Sequence, residues 1–66
     1  MIDIIKYRYK RVKVKCTEVD KIFIGYAIIG TDYESDRDYI QLTDENDGRC
    51  YELYVDEIES IEIIED

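Results

Sequence analysis

Histidine, proline and tryptophan are absent from this 66-residue chain, and glycine and cysteine are scarce at three and two copies. Without His there is no Cys–His or Ser–His pair to activate a nucleophile. Nor is there an imidazole to complete a zinc site begun by Cys16 and Cys50, which form no C-x-x-C pair. No Gly-rich phosphate loop is present. These absences remove the usual sets of catalytic parts, so the chain is expected not to be an enzyme and to use no cofactor. No apolar run approaches the ~20 residues that cross a bilayer, and no apolar segment near the amino terminus is followed by a small-residue cleavage site. A cytoplasmic location without membrane contact is the expectation, with Cys16 and Cys50 as free thiols.

The lack of Pro and the 45% apolar content argue for continuous ordered structure. Seven Tyr and one Phe supply the aromatic area that Trp does not. A chain of 66 residues is one small domain, residues 1–66, with a correspondingly small core.

Charge is present in quantity and is unevenly placed. Residues 1–15 hold six of the nine Lys and Arg against a single Asp, a net +5, whereas residues 16–66 hold sixteen carboxylates against three cations, a net −13. In Arg11-Val12-Lys13-Val14-Lys15-Cys16 the cations fall on every second residue, the period of a half-buried strand. Glu59-Ser60-Ile61-Glu62-Ile63-Ile64-Glu65 reads as another strand, with Ile61 and Ile63 on one face and Ser60, Glu62 and Ile64 on the other. Side by side, these strands would set Lys against Glu, each pair contributing roughly 0.2–1 kcal/mol.

The rest of the chain completes an all-β reading. Ile2, Ile5 and Tyr9 have helical offsets, which predicts a short helix or turn within Met1 to Tyr9. The first strand covers about residues 10–16. Ile22 to Gly30 is apolar on both faces, as in a long bent strand, with Gly25 where a kink or bulge would sit. Thr31 to Asp38 reads as a polar loop, Tyr39 to Thr43 as the third strand, and Asp44 to Gly48 as a hairpin loop in which Asp-Gly supplies positive φ. Arg49 to Val55 is the fourth strand, and a turn at Asp56-Glu57-Ile58 leads to the fifth. The period-two spacing puts Val12, Val14, Phe23, Ile40, Leu42, Leu53 and Ile61 in the core. Five strands in so short a chain outline a small closed barrel.

Phe23-Ile24-Gly25, Ile40-Gln41-Leu42 and the run Tyr51 to Ile61 give the chain a pattern that resembles the Sm-like branch of the SH3-like small barrels. The resemblance implies an all-β, five-stranded barrel with a short N-terminal helix. RNA-binding members typically place an Asn before the third strand and an Arg-Gly or similar pair between the fourth and fifth. Here those places read Ser35-Asp36-Arg37-Asp38 and Val55-Asp56-Glu57-Ile58. Carboxylates repel phosphate, which argues against nucleic acid at that pocket. Acidic Sm-like proteins that bind other proteins also exist. The Sm-like inhibitors of the Rho terminator are one group with a similar strand-turn-strand ending.

The expectation is therefore a non-enzymatic acidic binding module, a small regulatory or inhibitory protein of the phage or mobile-element type that docks on a basic protein surface. Its candidate contact residues are Asp32, Tyr33, Glu34, Asp36, Asp38, Tyr54, Asp56 and Glu57. One alternative is an Sm-like RNA-binding oligomer using Tyr7, Arg8, Tyr9, Lys10, Lys13 and Lys15, which interleave aromatics with cations. The other is an oligomer that sequesters a nucleotide or metabolite in intersubunit pockets. Self-association is expected in any case, because a final strand carrying Ile64 among charges is prone to pair its edge. Asp32, Glu34, Asp36 and Asp38 alternate like metal ligands, yet neither acidic loop has the D-x-[DN]-x-[DN]-G spacing, and no metal is expected.

Overall fold

The computed structural model describes residues 4–65. They form five strands, β1 (Arg11–Cys16), β2 (Ile22–Asp32), β3 (Arg37–Thr43), β4 (Cys50–Tyr54) and β5 (Ile58–Glu65). Single turns of 3-10 helix at Ile4–Tyr7 and Val55–Glu57 accompany them. All strand pairs are antiparallel, in the order β4-β3-β2-β1-β5.

Alternation builds the core. Val12, Val14 and Cys16 of β1, Phe23 and Ala27 of β2, Ile40 and Leu42 of β3, and Leu53 of β4 are buried together with Ile4, Tyr7 and Ile58. Of the seven expected core residues only Ile61 is merely half-buried, packed on the cluster's rim. The long β2 serves two partners in succession: Ile22 to Tyr26 pair with β1, and Ala27 to Asp32 pair with β3. Just before the handover sits Gly25, whose pairing with Val12 is in regular register. Close approach is what requires glycine there, since a Cβ on Gly25 would lie 2.2 Å from the carbonyl oxygen of Thr43.

The irregularities lie instead on β5. Its pairing with β1 shifts between Arg11 and Val12 and again between Lys15 and Cys16, which leaves Ile64 and Glu59 as extra residues. An inserted residue breaks strict alternation. Ile63 and Ile64 are accordingly both exposed rather than assigned to opposite faces. The charge pairing between the first and last strands is as the sequence implies: Lys13 stands opposite Glu62 and Arg11 opposite Glu65, with ion pairs at 3.8 and 3.5 Å, and Lys15 reaches Glu59 at 3.9 Å.

Two expectations are corrected. The sheet is not closed by pairing, because β4 and β5 are its two edges. β4 stops at Tyr54 after five residues, and the Val55–Glu57 turn is capped by a bond from the Ile58 amide to the Val55 carbonyl. The chain thus enters β5 already paired with Cys16 of β1. The N-terminal helix is one 3-10 turn, in which Ile4 and Tyr7, three residues apart, are buried while Ile5 and Tyr9 face solvent. Tyr9 then takes φ 62°, which ends the turn. The Met1 to Asp3 part of the expected helix lies outside the described residues.

Candidate functional site

The β2–β3 hairpin is built by its own carboxylates. Asp32 at the end of β2 pairs with Arg37 at the start of β3, and its side chain accepts a bond from the Glu34 amide at 3.1 Å, an Asx turn that orders the tip. Asp36 completes the reversal at φ 56°, a conformation that Asp tolerates better than most residues. Thr31 Oγ1 donates to Asp38 at 2.8 Å. Tyr39 packs against Gly30, where a Cβ would come within 2.5 Å of the ring, and meets Tyr54 edge to face at 5.7 Å.

These side chains enclose an open groove of about 380 Å³ lined by Thr31, Asp32, Tyr33, Glu34, Tyr39, Glu52 and Tyr54. The Tyr54 hydroxyl donates to Asp32 at 3.3 Å. The Glu34 amide, followed by bonds from Ser35 and Tyr54, holds the Asp32 carboxyl below the usual range. Partial burial and then the Asp32 charge push the Tyr54 hydroxyl up. Tyr33 is 91% exposed, a large aromatic with no place in the core.

The eight residues expected to form the acidic surface divide into three groups. Asp32, Tyr33, Glu34 and Tyr54 line the groove, and Asp36 and Asp38 belong to the hairpin beside it. Asp56 and Glu57 are instead engaged by Arg37, whose guanidinium makes paired bonds to Asp56 at 2.8 and 3.1 Å and reaches Glu57 at 3.4 Å. The same guanidinium stacks 3.9 Å from the centre of the Tyr54 ring. Arg37 holds the Asp56 carboxyl below its ordinary range. In the sequence Arg37 passes as one cation diluting an acidic loop. Its role depends on β3 running beside β4, and that is visible only once the strands are paired. Glu52, which faces Gln41 across the sheet, lines the groove together with Thr31 and Tyr39, and none of the three is among the expected contact residues. Among the described residues, Asp32, Glu34, Asp36, Asp38 and Glu52 make no ion pair with a cation.

The six residues of the nucleic-acid alternative do not form one face. Tyr7 is buried in the core cluster and is not presented to solvent. Lys13 faces Glu62, and Lys15 is held by Glu59 and by the carbonyls of Cys16 and Val19 at 3.1 and 2.8 Å. Arg8 lies 4.9 Å from the Tyr9 ring at the exposed end of the first turn, and the Lys10 carbonyl accepts from the Ala27 amide.

In the sequence Asp44 is one residue of a polar hairpin loop, yet its carboxylate is fully buried. It accepts from the Ile24 and Asn46 amides at 3.3 and 3.4 Å and faces the Lys21 ammonium at 3.0 Å. Burial alone would raise the Asp44 carboxyl, but the Lys21 bond and the two amides outweigh it and hold it low. Lys21 also binds Asp47 at 2.7 Å, and Tyr51 donates to Asp47. The network fastens the β3–β4 hairpin to the start of β2. Among the described residues, no three His, Cys, Asp or Glu side chains converge as a metal site requires. Comparison with protein-family models, curated proteins and solved structures gives no match to this chain.

Proposed function

We propose that this chain is a non-enzymatic binding module of the Sm-like, SH3-like small-barrel kind, and that the β2–β3 hairpin with its groove docks on a basic protein surface. Three features support the barrel assignment: the β4-β3-β2-β1-β5 order, the β2 strand shared between two partners, and the 3-10 turn joining β4 to β5. The functional reading is carried by one observation. Among the described residues, the carboxylates of the hairpin and Glu52 meet no cation, whereas those of β5 are matched by the cations of β1. Charge left uncompensated on one face is available to a partner of opposite sign, where it accelerates encounter and selects against like-charged surfaces. The exposed Tyr33 and the half-buried Tyr39 and Tyr54 add apolar area of the type enriched at interfaces.

The test is a titration of a labelled Lys-rich peptide and of single-stranded RNA of equal length, at low and physiological salt. The peptide is expected to bind with an affinity that falls as salt rises, and the Glu34→Lys variant is expected to lose it. RNA binding that survives physiological salt and is abolished by Lys13→Glu would replace this reading with the nucleic-acid one.

A further inference from the structure

Pairing of β1 with β5 neutralises Arg11, Lys13 and Lys15 and so concentrates the remaining positive charge at the first turn. Among the described residues Lys6 and Arg8 meet no carboxylate, only the rings of Tyr7 and Tyr9. Large exposed apolar side chains accompany them: Ile5 at 70%, Tyr9 at 64%, and Tyr26 and Ile28 on the outer face of β2 at 55% and 50%. The Tyr9 amide donates to the Ala27 carbonyl and the Ala27 amide to the Lys10 carbonyl, which holds this turn against β2 between Tyr26 and Ile28. Tyr9 is the anomaly of the group. Its φ of 62° lies in the left-handed region, where Gly or Asn costs less, and its exposed ring adds little to the core. The Tyr9 ring, held at the surface beside the Arg8 guanidinium, is placed to meet a surface outside the fold.

The C-terminal end of β2, beyond the segment that holds the turn, carries the complement: Asp32, Glu34 and Glu52 around a groove with an exposed Tyr33 at its rim. We infer that the occupant of that groove is a second copy of this chain, docked head to tail, with Lys6, Arg8 and Tyr9 of one copy on Glu34, Glu52 and Tyr33 of the next. This rests on the groove being the binding site, as proposed above, and names its partner. A net charge of −8 on each copy opposes association. That repulsion acts across a molecule measuring 30 × 25 × 20 Å. At physiological salt it is screened over about 8 Å, whereas contacting charges are screened far less. Docked head to tail, each copy gives its basic end to one neighbour and its groove to another, a heterologous contact that builds a ring or a chain.

The experiment is sedimentation equilibrium of the full chain at physiological salt, with Lys6→Glu/Arg8→Glu, Glu34→Lys/Glu52→Lys and Tyr9→Gly variants. The parent is expected to exceed dimer mass with rising concentration, and each double variant alone to remain monomeric. An equimolar mixture of the two double variants joins the intact groove of one to the intact basic end of the other, and the reversed charges of the remaining contact also complement each other, so the mixture is expected to recover association. Tyr9→Gly relieves the left-handed backbone, so it is expected to fold at least as well as the parent while associating at least about tenfold more weakly. A parent that stays monomeric, a mixture that stays monomeric, or association unchanged in the variants overturns the inference. Labelled oligolysine added to Lys6→Glu/Arg8→Glu separates the two readings. Binding there with a monomeric parent keeps the groove as a site and removes the second copy as its occupant, and no binding with a monomeric parent removes both.

Discussion

The β1–β5 ladder and the β2–β3 hairpin are both dense in charge, and they use it in opposite ways. On the ladder each cation of β1 meets a Glu on or near β5, so the charge is consumed in holding an edge strand to the sheet. On the hairpin Asp32 accepts from the Glu34 amide and the Tyr54 hydroxyl and Asp38 from the Thr31 hydroxyl, while the nearby cation, Arg37, turns away to Asp56 and Glu57. Two stretches of similar composition thus differ in what a neighbouring strand brings to them. Charge at a sheet edge tells of function only after its cross-strand partner is known.

The most severe way to break the comparison is to remove the core on which both regions rest. Ile40→Ala empties a fully buried position between the two halves and should cost about 2–5 kcal/mol, a large share of so small a domain's stability. Ile63→Ala, on the exposed end of β5, should change stability by less than about 1 kcal/mol. Urea unfolding of the pair checks the contrast, and equal losses would mean that β5 packs more tightly than its exposure indicates. Next in size is Gly25→Ala. Its Cβ would press on the Thr43 carbonyl, backbone that cannot rotate away, so a loss of about 1–3 kcal/mol is expected by the same measurement.

Much of the ladder was legible in the sequence because period-two spacing states directly which residues share a face. Val12, Val14, Lys13 and Glu62 all fall where that rule puts them. It fails where a residue is inserted, at Ile64 and Glu59, since nothing local marks a bulge. Tyr9 and Ile5 were placed on a helix's apolar face because their offsets suit 3.6 residues per turn, whereas a 3-10 turn brings Ile4 and Tyr7 together instead. The hairpin was legible as acidic, but its division was not. Arg37, Asp56 and Glu52 are separated in sequence and meet only through strand pairing, and the burial of Asp44 depends on where Lys21 arrives.

Acid provides a third contrast. Asp44, Glu45 and Asp47 have folded-state carboxyls held low by Lys21, by Arg11 and by backbone amides. A depressed carboxyl adds stability that is complete above its unfolded value, about 4, and is lost as pH falls through the lower folded value. Stability should therefore be flat near neutrality and decline progressively below about pH 4. Lys21 is raised by its bonds to Asp47 and Asp44, so its contribution persists at neutral pH and is lost only as pH rises beyond the ordinary lysine range. Asp44→Asn should lower the neutral plateau and flatten the acid limb, as followed by circular dichroism during urea unfolding at several pH values. A variant with the parent's plateau would show that the buried pair with Lys21 does not hold the β3–β4 hairpin.

The smallest expected effects on stability divide the two regions most sharply. Lys13→Glu replaces an attraction with a repulsion across from Glu62, so it should destabilise, and a double-mutant cycle with Glu62→Lys should recover a coupling of roughly 0.2–1 kcal/mol. Among the described residues Glu34 has no ion-pair partner, so the effect of Glu34→Lys on stability should stay within about 0.5 kcal/mol of zero. The ranking inverts for binding. Lys13→Glu leaves the groove intact and should leave Lys-rich peptide affinity unchanged once the variant is folded. Glu34→Lys puts a cation on the groove wall and should weaken that affinity, more at low salt than at high. Equal loss of peptide binding in the two variants would mean that the peptide senses the net charge of the whole molecule, and the distinction between a ladder that holds the fold and a hairpin that meets a partner would fail.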